Sequence, residues 1–589
     1  MRTWTHTWTA SKLLNMQLMS GLICCVLGSC ALCAWGQTKP GAGDLLNNIA
    51  PFKKATPELK KRSDKLLIEN HTDQATDIPE TDSTNTLAMS FEVQGLLLQG
   101  HTVFSTQELL ALLPNAFPGM YTLQQLEMKL SVLTEHYRLA GYTLAQARIP
   151  EQVLQNGVVR VQITEPVWGQ VLLNNQSQIN DNVLMNAVSA VMPGSMVRQA
   201  DLESALLRMN DLPGTRFNSQ LQPGKLPNTT DVFISALPTQ PVTGATTVDN
   251  FGSRYTGRQR ATATLIWSNP LRVGDMLTAN VLTSGPWLNY QRVAYEWPVF
   301  QPGMQLGLST AKMNYRLGEG AESLRAHGQL GQQAVWLDYP WTRNSHYQLK
   351  SRVQWEYMDP RDHQDASNIK TDRQLRVLSL STNQENADSF MAGGLNQVSA
   401  ELTHGQTQFT DQVAAANDAS TARTAGRFTK VNLRAYRNQT ISATFSLSLS
   451  MDSQWAQKNL DATQKFSLGG MRSVRAYEAG VLSTDHALFS SVELRMLLPQ
   501  PGETWNIQGR WYACVFWDKA VAQVNKNPWN NTSNRVHLRG SGLAMYWQGP
   551  NEWRATASVG KSLGVSSSLL GGANAMHKTA WLELAKAWR

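Results

Sequence analysis

Cysteine is scarce in this chain and poorly placed for a disulfide. Of five cysteines in 589 residues, Cys24, Cys25, Cys30 and Cys33 fall within the first 36, which leaves Cys514 alone thereafter. One thiol closes no internal disulfide and builds no Cys-based metal site. Past residue 36 there is no apolar run of about 18 residues, so no membrane-spanning helix is expected. The 11 histidines are scattered, with none paired at ligand spacing beside carboxylates, so no metal centre is expected. Glycine-rich phosphate loops are missing, and no cofactor is expected. The net charge of +8 is not gathered into Lys/Arg clusters interleaved with aromatics, which argues against a nucleic-acid partner. Residues 560–564 spell G-x-S-x-G, but a nucleophile elbow needs a strand–turn–helix, and here the motif sits in an alternating strand with no helical pattern after it. It is a chance match, and no catalytic residue or enzyme activity is expected.

What is present begins with a targeting pattern over 1–36. Arg2 and Lys12 precede an apolar run at 18–32, and Ala34-Trp35-Gly36 supplies small residues for signal peptidase, with cleavage expected before Gln37. The rival reading is a lipoprotein signal, since Leu27-Gly28-Ser29-Cys30 is similar to a lipobox. Over 37–89 a short helix is expected near 44–49. The Thr-, Asp- and Asn-rich stretch at 70–86 carries too few core-forming residues to offset its ordering entropy and reads as a linker.

Ser105-x-x-Glu108 and Thr122-x-x-Gln125 are capping boxes. The second opens a helix with Leu123, Leu126, Leu130, Leu133 and Tyr137 at helical spacing, ended by Gly141-Tyr142. Strands are expected at 91–95, 143–149 and 158–164, the last two joined through an Asn156-Gly157 turn. This makes a small α+β module over 90–165. The order recurs over 166–237, with a strand at 167–173, helices at 181–191 and 198–209, and strands at 216–220 and 231–236. Tandem modules with open sheet edges suit capture of an extended peptide by strand addition; the plainer reading is a pair of spacers.

From 238 to 589 only period-two alternation remains. Tyr347, Leu349, Ser351, Val353, Trp355 and Tyr357 alternate with Gln348, Lys350, Arg352, Gln354 and Glu356. Ile441, Ala443, Phe445, Leu447, Leu449 and Met451 alternate with Ser442, Thr444, Ser446, Ser448 and Ser450, and Leu488, Ser490, Val492, Leu494 and Met496 with Phe489, Ser491, Glu493 and Arg495. Strands greasy on one face and polar on the other suit a membrane barrel with lipid outside and water inside. Roughly 350 residues at about 22 per strand and connection gives about 16 antiparallel strands. Short turns are expected at 298–303 and 339–343, a long polar loop at 359–372, and Trp and Tyr girdles at the interfaces. An exported chain of this kind points to the outer membrane of a Gram-negative cell.

Four stretches carry a family resemblance. Gly141-Tyr142 through Ile149-Pro150-Glu151-Gln152 is similar to the end of a first POTRA module, and 207–214 with 221–224 to a second. Asp249-Asn250-x-Gly252 with Asn269-Pro270-Leu271 and Gly274-Asp275 resembles the start of a barrel. Phe466-Ser467-Leu468-Gly469-Gly470 with Val474-Arg475-Ala476-Tyr477 resembles the signature loop of the TpsB, or haemolysin-activator, transporters of two-partner secretion. These belong to a superfamily that also holds barrel-assembly insertases. In three places the chain departs from the family pattern. Ala476 stands for a glycine of the loop motif, Ala520 for the glycine ending Phe516-x-Asp518-x-Gly, and Arg589 follows Trp588 where an aromatic residue usually ends the chain. Residues 44–49 are short for the family's plug helix.

The resemblance implies a signature loop, about 457–484, folded into the lumen with Arg475 paired to Asp518 on the wall. It also implies that a secreted partner protein docks its N-terminal secretion domain on periplasmic POTRA modules, crosses the lumen extended and folds outside. Barrel assembly machinery would insert the protein among outer-membrane lipids. The alternative within the superfamily is an insertase for other barrels; a passive porin is disfavoured by the two soluble modules.

Overall fold

The computed structural model describes residues 40–49, 90–114, 116–499, 508–531, 533–564, 570 and 578–588. The targeting segment, the cleavage point before Gln37, the linker at 70–86 and Arg589 lie outside the described residues. Helix α1 (Ala42–Ile49) comes first.

The first α+β module holds β1 (Phe91–Val93), β2 (Gly95–Gln99), α2 (Thr106–Ala111), β3 (Gly119–Tyr121), α3 (Leu123–Leu139), β4 (Gln146–Arg148) and β5 (Val158–Thr164). Both capping boxes form: Ser105 and Glu108 close the start of α2, and Thr122 and Gln125 that of α3. Each satisfies backbone N–H groups that the first turn leaves open, a contribution of about 1 kcal/mol. Leu126, Leu130, Leu133 and Tyr137 on α3 are buried against Val159, Val161 and Ile163 of β5, so the 3.6-residue stripe meets the period-two stripe in one core. Strand β4 is shorter than the expected 143–149, because residues 143–145 form a turn after the helix, and β3 was not anticipated from its three residues. The second module has β6 (Val167–Asn175), α4 (Asp181–Ala187), α5 (Gln199–Asn210), β7 (Thr215–Pro223) and β8 (Thr229–Pro238), with sheet order β6-β8-β7. Helix α4 stops four residues before the expected end, in turns that bury Val188 and Val191.

The remainder is a barrel. Its strands are β9 (Val242–Asp249), β10 (Arg260–Ser268), β11 (Met276–Thr283), β12 (Leu288–Pro298), β13 (Gln305–Arg316), β14 (Ala326–Arg343), β15 (Tyr347–Gln364) and β16 (Ile369–Asp388). They continue as β17 (Gly394–Phe409), β18 (Gly426–Thr440) and β19 (Phe445–Ala456), with helix α6 (Gln412–Ser420) between β17 and β18. The loop after β19 carries the small hairpin β20 (Phe466–Leu468) and β21 (Leu482–Thr484). The wall then resumes with β22 (His486–Leu497), β23 (Arg510–Gln523), β24 (Arg535–Gln548), β25 (Trp553–Ser562) and β26 (Lys578–Trp588). Sixteen antiparallel strands close into one barrel, with β26 paired back to β9. Only full closure leaves no strand edge exposed to hydrocarbon. At the seam the Asn250 amide lengthens the pairing: its Nδ2 donates to the Ala580 carbonyl at 2.9 Å and its Oδ1 accepts from Leu582 N at 2.8 Å. Among the described residues no helix is long and apolar enough to cross a membrane.

The fold class read from alternation is the observed one. Val353 and Trp355 face out at 48% and 44% exposure, whereas Glu356 and Met358, on the opposite parity, are buried. Three local expectations fail. Residues 339–343 are the end of β14, because Tyr339, Pro340, Thr342 and Arg343 stay paired with β15 and only Trp341 is left over as a bulge between Pro340 and Thr342. The polar stretch 359–372 is mostly strand: β15 runs to Gln364 and β16 starts at Ile369, since polar residues pair freely where a wall rises above the membrane. Ile441 and Ala443 belong to the turn before β19, tied by Ile441 N to the Phe445 carbonyl.

Candidate functional site

The segment between β19 and β22 does not stay outside. Gly469 and Gly470, at φ +90° and +94°, reverse the chain so tightly that a Cβ on Gly469 would lie 2.2 Å from the Glu478 carbonyl oxygen. Gly470 N donates to the Tyr477 carbonyl at 2.9 Å, and the tip 471–476 is thereby held as a compact knot. Leu468, Val474, Ala476 and Tyr477 are buried with Leu482, Phe489, Ala520 and Leu538, and Phe466 packs at the edge of this cluster.

Arg475 is the centre of the knot and only 5% exposed. Its Nε and Nη2 donate to the two oxygens of Asp518 at 3.0 and 2.9 Å, and its backbone N–H donates to the same carboxylate at 3.0 Å. Nη1 donates to Glu493 at 2.6 Å and Nη2 to the Ser491 hydroxyl at 3.0 Å. The guanidinium carbon lies 3.5 Å from the Phe516 ring centroid, a stacked cation–π contact. On the other side the Arg475 carbonyl accepts from Trp581 Nε1 at 2.7 Å and from the Thr579 hydroxyl. One residue thus ties the loop to β22, β23 and β26. Asp518 is fully buried while its neighbour Trp517 faces out, so the inward parity of β23 is what aims the carboxylate.

Several partners were not singled out from sequence. Glu493 and Ser491 lie on the inward parity of β22, and Tyr546 OH donates to Glu493 at 3.2 Å. Gly540 and Gly560 face the loop where a Cβ would sit 2.6 Å from Ala476 Cβ and 3.0 Å from the Arg475 carbonyl oxygen. A glycine inside a strand marks a close approach of another chain, and that signal was available in the sequence. Ala476 itself is absent from the left-handed residues, so alanine is unstrained there. Its methyl group fills the space that Gly540 leaves.

Helix α1 lies inside the barrel. Ala42, Leu45, Leu46 and Ile49 join a buried cluster with Tyr290, Met313, Tyr315, Leu330 and Met358 of the inner wall and Leu460 of the loop. Ala42 N donates to Asp362 on β15 at 2.8 Å. Asn47 Nδ2 donates to the carbonyls of Ala462 and Lys465, both at 2.9 Å, and Ser467 donates to Asn48 at 2.8 Å. Gly43 packs so closely that a Cβ would lie 2.2 Å from Thr463 N. Eight residues therefore suffice to bridge the wall and the re-entrant loop.

The remaining sequence-singled residues sit apart, in the first module. Gly141 takes φ +90° after α3, and its carbonyl accepts from Gln199 N of the second module at 3.0 Å. Tyr142 packs edge-on to Phe104 and lies under Arg198, 5.7 Å from ring centroid to guanidinium. Ile149 and Pro150 lead into a loop that Gln152 fastens to β5, accepting from Arg160 N and donating to the Arg160 carbonyl, each at 2.8 Å. At the module junction, burial pushes the Glu165 carboxyl up, but donors from Thr102, Tyr137 and Val103 outweigh it and leave it below the ordinary glutamate range. The second module is fixed to the barrel by Asp211 with Arg343 at 2.6 Å and by Asn180 N to the Arg272 carbonyl at 3.0 Å.

Comparison with known proteins agrees with this layout. The profile described as haemolysin secretion/activation protein ShlB/FhaC/HecB matches residues 228–513, and that of the ShlB-type POTRA domain matches 91–166. The heme/hemopexin transporter protein HuxB of Haemophilus influenzae (strain 86-028NP) is 24% identical over 488 residues, covering 82% of this chain and 84% of that protein. The outer membrane transporter CdiB of Escherichia coli is 24% identical over 439 residues, 71% of this chain and 70% of that one. The solved structure of CdiB from Escherichia coli superposes with a TM-score of 0.67 at 19% identity, covering 90% of this chain and 98% of that one.

Proposed function

Because the chain belongs to the haemolysin secretion/activation family of two-partner secretion transporters, we propose that its two POTRA modules capture one large exported partner protein by that partner's N-terminal secretion domain. The barrel is an outer-membrane transporter with these modules on the periplasmic side. The partner enters the lumen extended and leaves it to fold outside. Relatives named as a heme/hemopexin transporter and as an outer membrane transporter support the transport reading.

The observation that carries this reading is the Arg475 clamp, a re-entrant arm fixed within a closed wall. Capture is supported by a groove in the first POTRA module between α3 and the edge strand β4, with Leu130, Val132, Ala147 and Ile149 in its lining. An arriving strand would replace the bond that Ala147 N now makes to the Thr134 hydroxyl at 3.1 Å, and then add main-chain pairs along β4. Helix α1 occupies the lumen and must give way before a chain can pass. Barrel assembly machinery is proposed to insert the wall, whose outward belt then contacts lipid.

Deleting the protein tests the reading against the insertase alternative. Loss of a single secreted protein supports transport, and broad loss of outer-membrane proteins sinks it. Arg475→Ala is expected to abolish secretion while the barrel still assembles; unchanged export in that variant removes the role given to the loop.

A further inference from the structure

The outer wall is apolar over only part of its height. Rising along β15 the outward positions run Val353, Trp355, Tyr357 and then Asp359, Arg361, His363; β13 passes from Leu308 to Lys312, Asn314 and Arg316. Strands β14, β15 and β16 hold 18, 18 and 20 residues, well beyond the roughly 9–11 that cross hydrocarbon at ordinary tilt. Since the POTRA modules join the other end of β9, this extra length rises on the extracellular side.

Register places four basic side chains in one row across this raised wall: Arg316 opposite His327, His327 opposite His363, and His363 opposite Lys370. Basic groups directly opposite one another on a sheet are unfavourable unless an anion intervenes. The imidazoles have carboxylates of their own, His327 with Asp365 at 3.3 Å and His363 with Asp372 at 3.1 Å. Arg361 has one loose, exposed contact with Asp359 at 3.5 Å. For Arg316, Arg325 and Lys370 no side-chain ion pair or hydrogen bond exists among the described residues. A cleft of about 820 Å³ opens here, with Arg316, Arg325 and Arg361 on its walls and the amides of Asn289, Asn314 and Gln329 between them. Its acidic lining is Glu322, already bonded to Gly320 N at 2.8 Å, and Asp365.

We propose that this cleft binds the phosphorylated sugar headgroup of an outer-leaflet glycolipid, whose sugars rise along the polar rows of the wall and whose acyl chains lie on the apolar belt lower on the same outward face. Guanidiniums grip phosphate oxygens in pairs, and the amides suit sugar hydroxyls. The occupant is a lipid rather than free phosphate because the outward columns that end at this cleft start from exposed Leu308, Trp355 and Leu378, one row eight residues lower in register. Juxtaposed basic groups and an apolar wall together match a molecule that is anionic at one end and greasy at the other.

The test compares the full-length protein with Arg316→Ala/Arg325→Ala/Arg361→Ala, both purified from outer membranes in neutral detergent, by lipopolysaccharide retained per barrel. The triple variant is expected to retain about tenfold less, a difference of about 1.4 kcal/mol. Lys561→Ala, at the same end of the far wall, is expected to retain as much as the parent. Rebinding from phosphatidylcholine vesicles carrying lipopolysaccharide should survive millimolar inorganic phosphate and fail with dephosphorylated lipopolysaccharide. Equal retention in the triple variant, displacement by inorganic phosphate, or equal binding of the dephosphorylated lipid would each overturn the proposal. If the triple variant does not assemble, Arg316→Ala and Arg361→Ala are read singly, each expected to lose about threefold.

Discussion

Arg475 shows how one side chain can hold an arm of nearly thirty residues (457–485) in a hydrated tube. Its charge is desolvated, so each partner matters more than a surface ion pair would. Asp518→Ala strips two guanidinium bonds and a backbone bond together and leaves a buried cation with Glu493 as its one carboxylate partner, a cost of about 3–5 kcal/mol to loop anchoring. Glu493→Gln keeps an acceptor at the same place and leaves Asp518 in position, so its cost should be nearer 1 kcal/mol. Protease access at 471–476 in assembled barrels reads the difference: cleavage is expected in the first variant and not in the second. Equal protection in both would show that the knot rests on apolar packing instead. Glu165 gives a pH dependence outside the membrane. Its folded pKa is depressed, so the stability it adds is complete above the unfolded glutamate pKa of about 4.3 and is lost as pH falls through the lower folded value. Backbone hydrogen exchange at Thr102 and Val103, corrected for intrinsic rate, should therefore speed up on acidification below about pH 4.5, and Glu165→Gln should remove that dependence.

At the level of elements, α1 is a stopper held by shape more than by length. Leu45, Leu46 and Ile49 are buried, each contributing about 1.5–3 kcal/mol relative to exposure, and backbone contact at Gly43 demands a residue without Cβ. Gly43→Val cannot fit beside Thr463 N and is expected to push the helix off its seat. Single-channel recording in planar bilayers should then show a larger resting conductance than the parent. An unchanged conductance would mean that the helix does not set the resting bore. The wall shows the same logic in Gly540 and Gly560, where bulk on the strand would collide with the loop: Gly540→Val should expel the tip and mimic loss of the clamp.

For the whole molecule, the two POTRA modules and the barrel form one load path. The first module touches the second through Gly141 with Gln199 and Tyr142 with Arg198, and the second touches the barrel through Asp211 with Arg343. Removing residues 90–165 should leave a heat-resistant barrel in the outer membrane and stop secretion, since capture is placed on the first module. Secretion at the parental level by that truncated protein would move the capture site to the second module or the barrel.

Alternation along the chain was enough to establish a barrel, its approximate strand number and which side of each strand faces lipid, because strands can cross hydrocarbon only as a closed sheet in which every backbone group is paired. Capping boxes likewise determined α2 and α3, since their donors and acceptors are neighbours in sequence. Tertiary structure decided what met what. Glu493 and Trp581 are separated from Arg475 by 18 and 106 positions, and only barrel closure and register bring them to one guanidinium. The seat of α1, the unstrained place of Ala476 beside Gly540 and the row from Arg316 to Lys370 arise in the same way, because contacts across a closed sheet depend on stagger between strands, which no local pattern encodes.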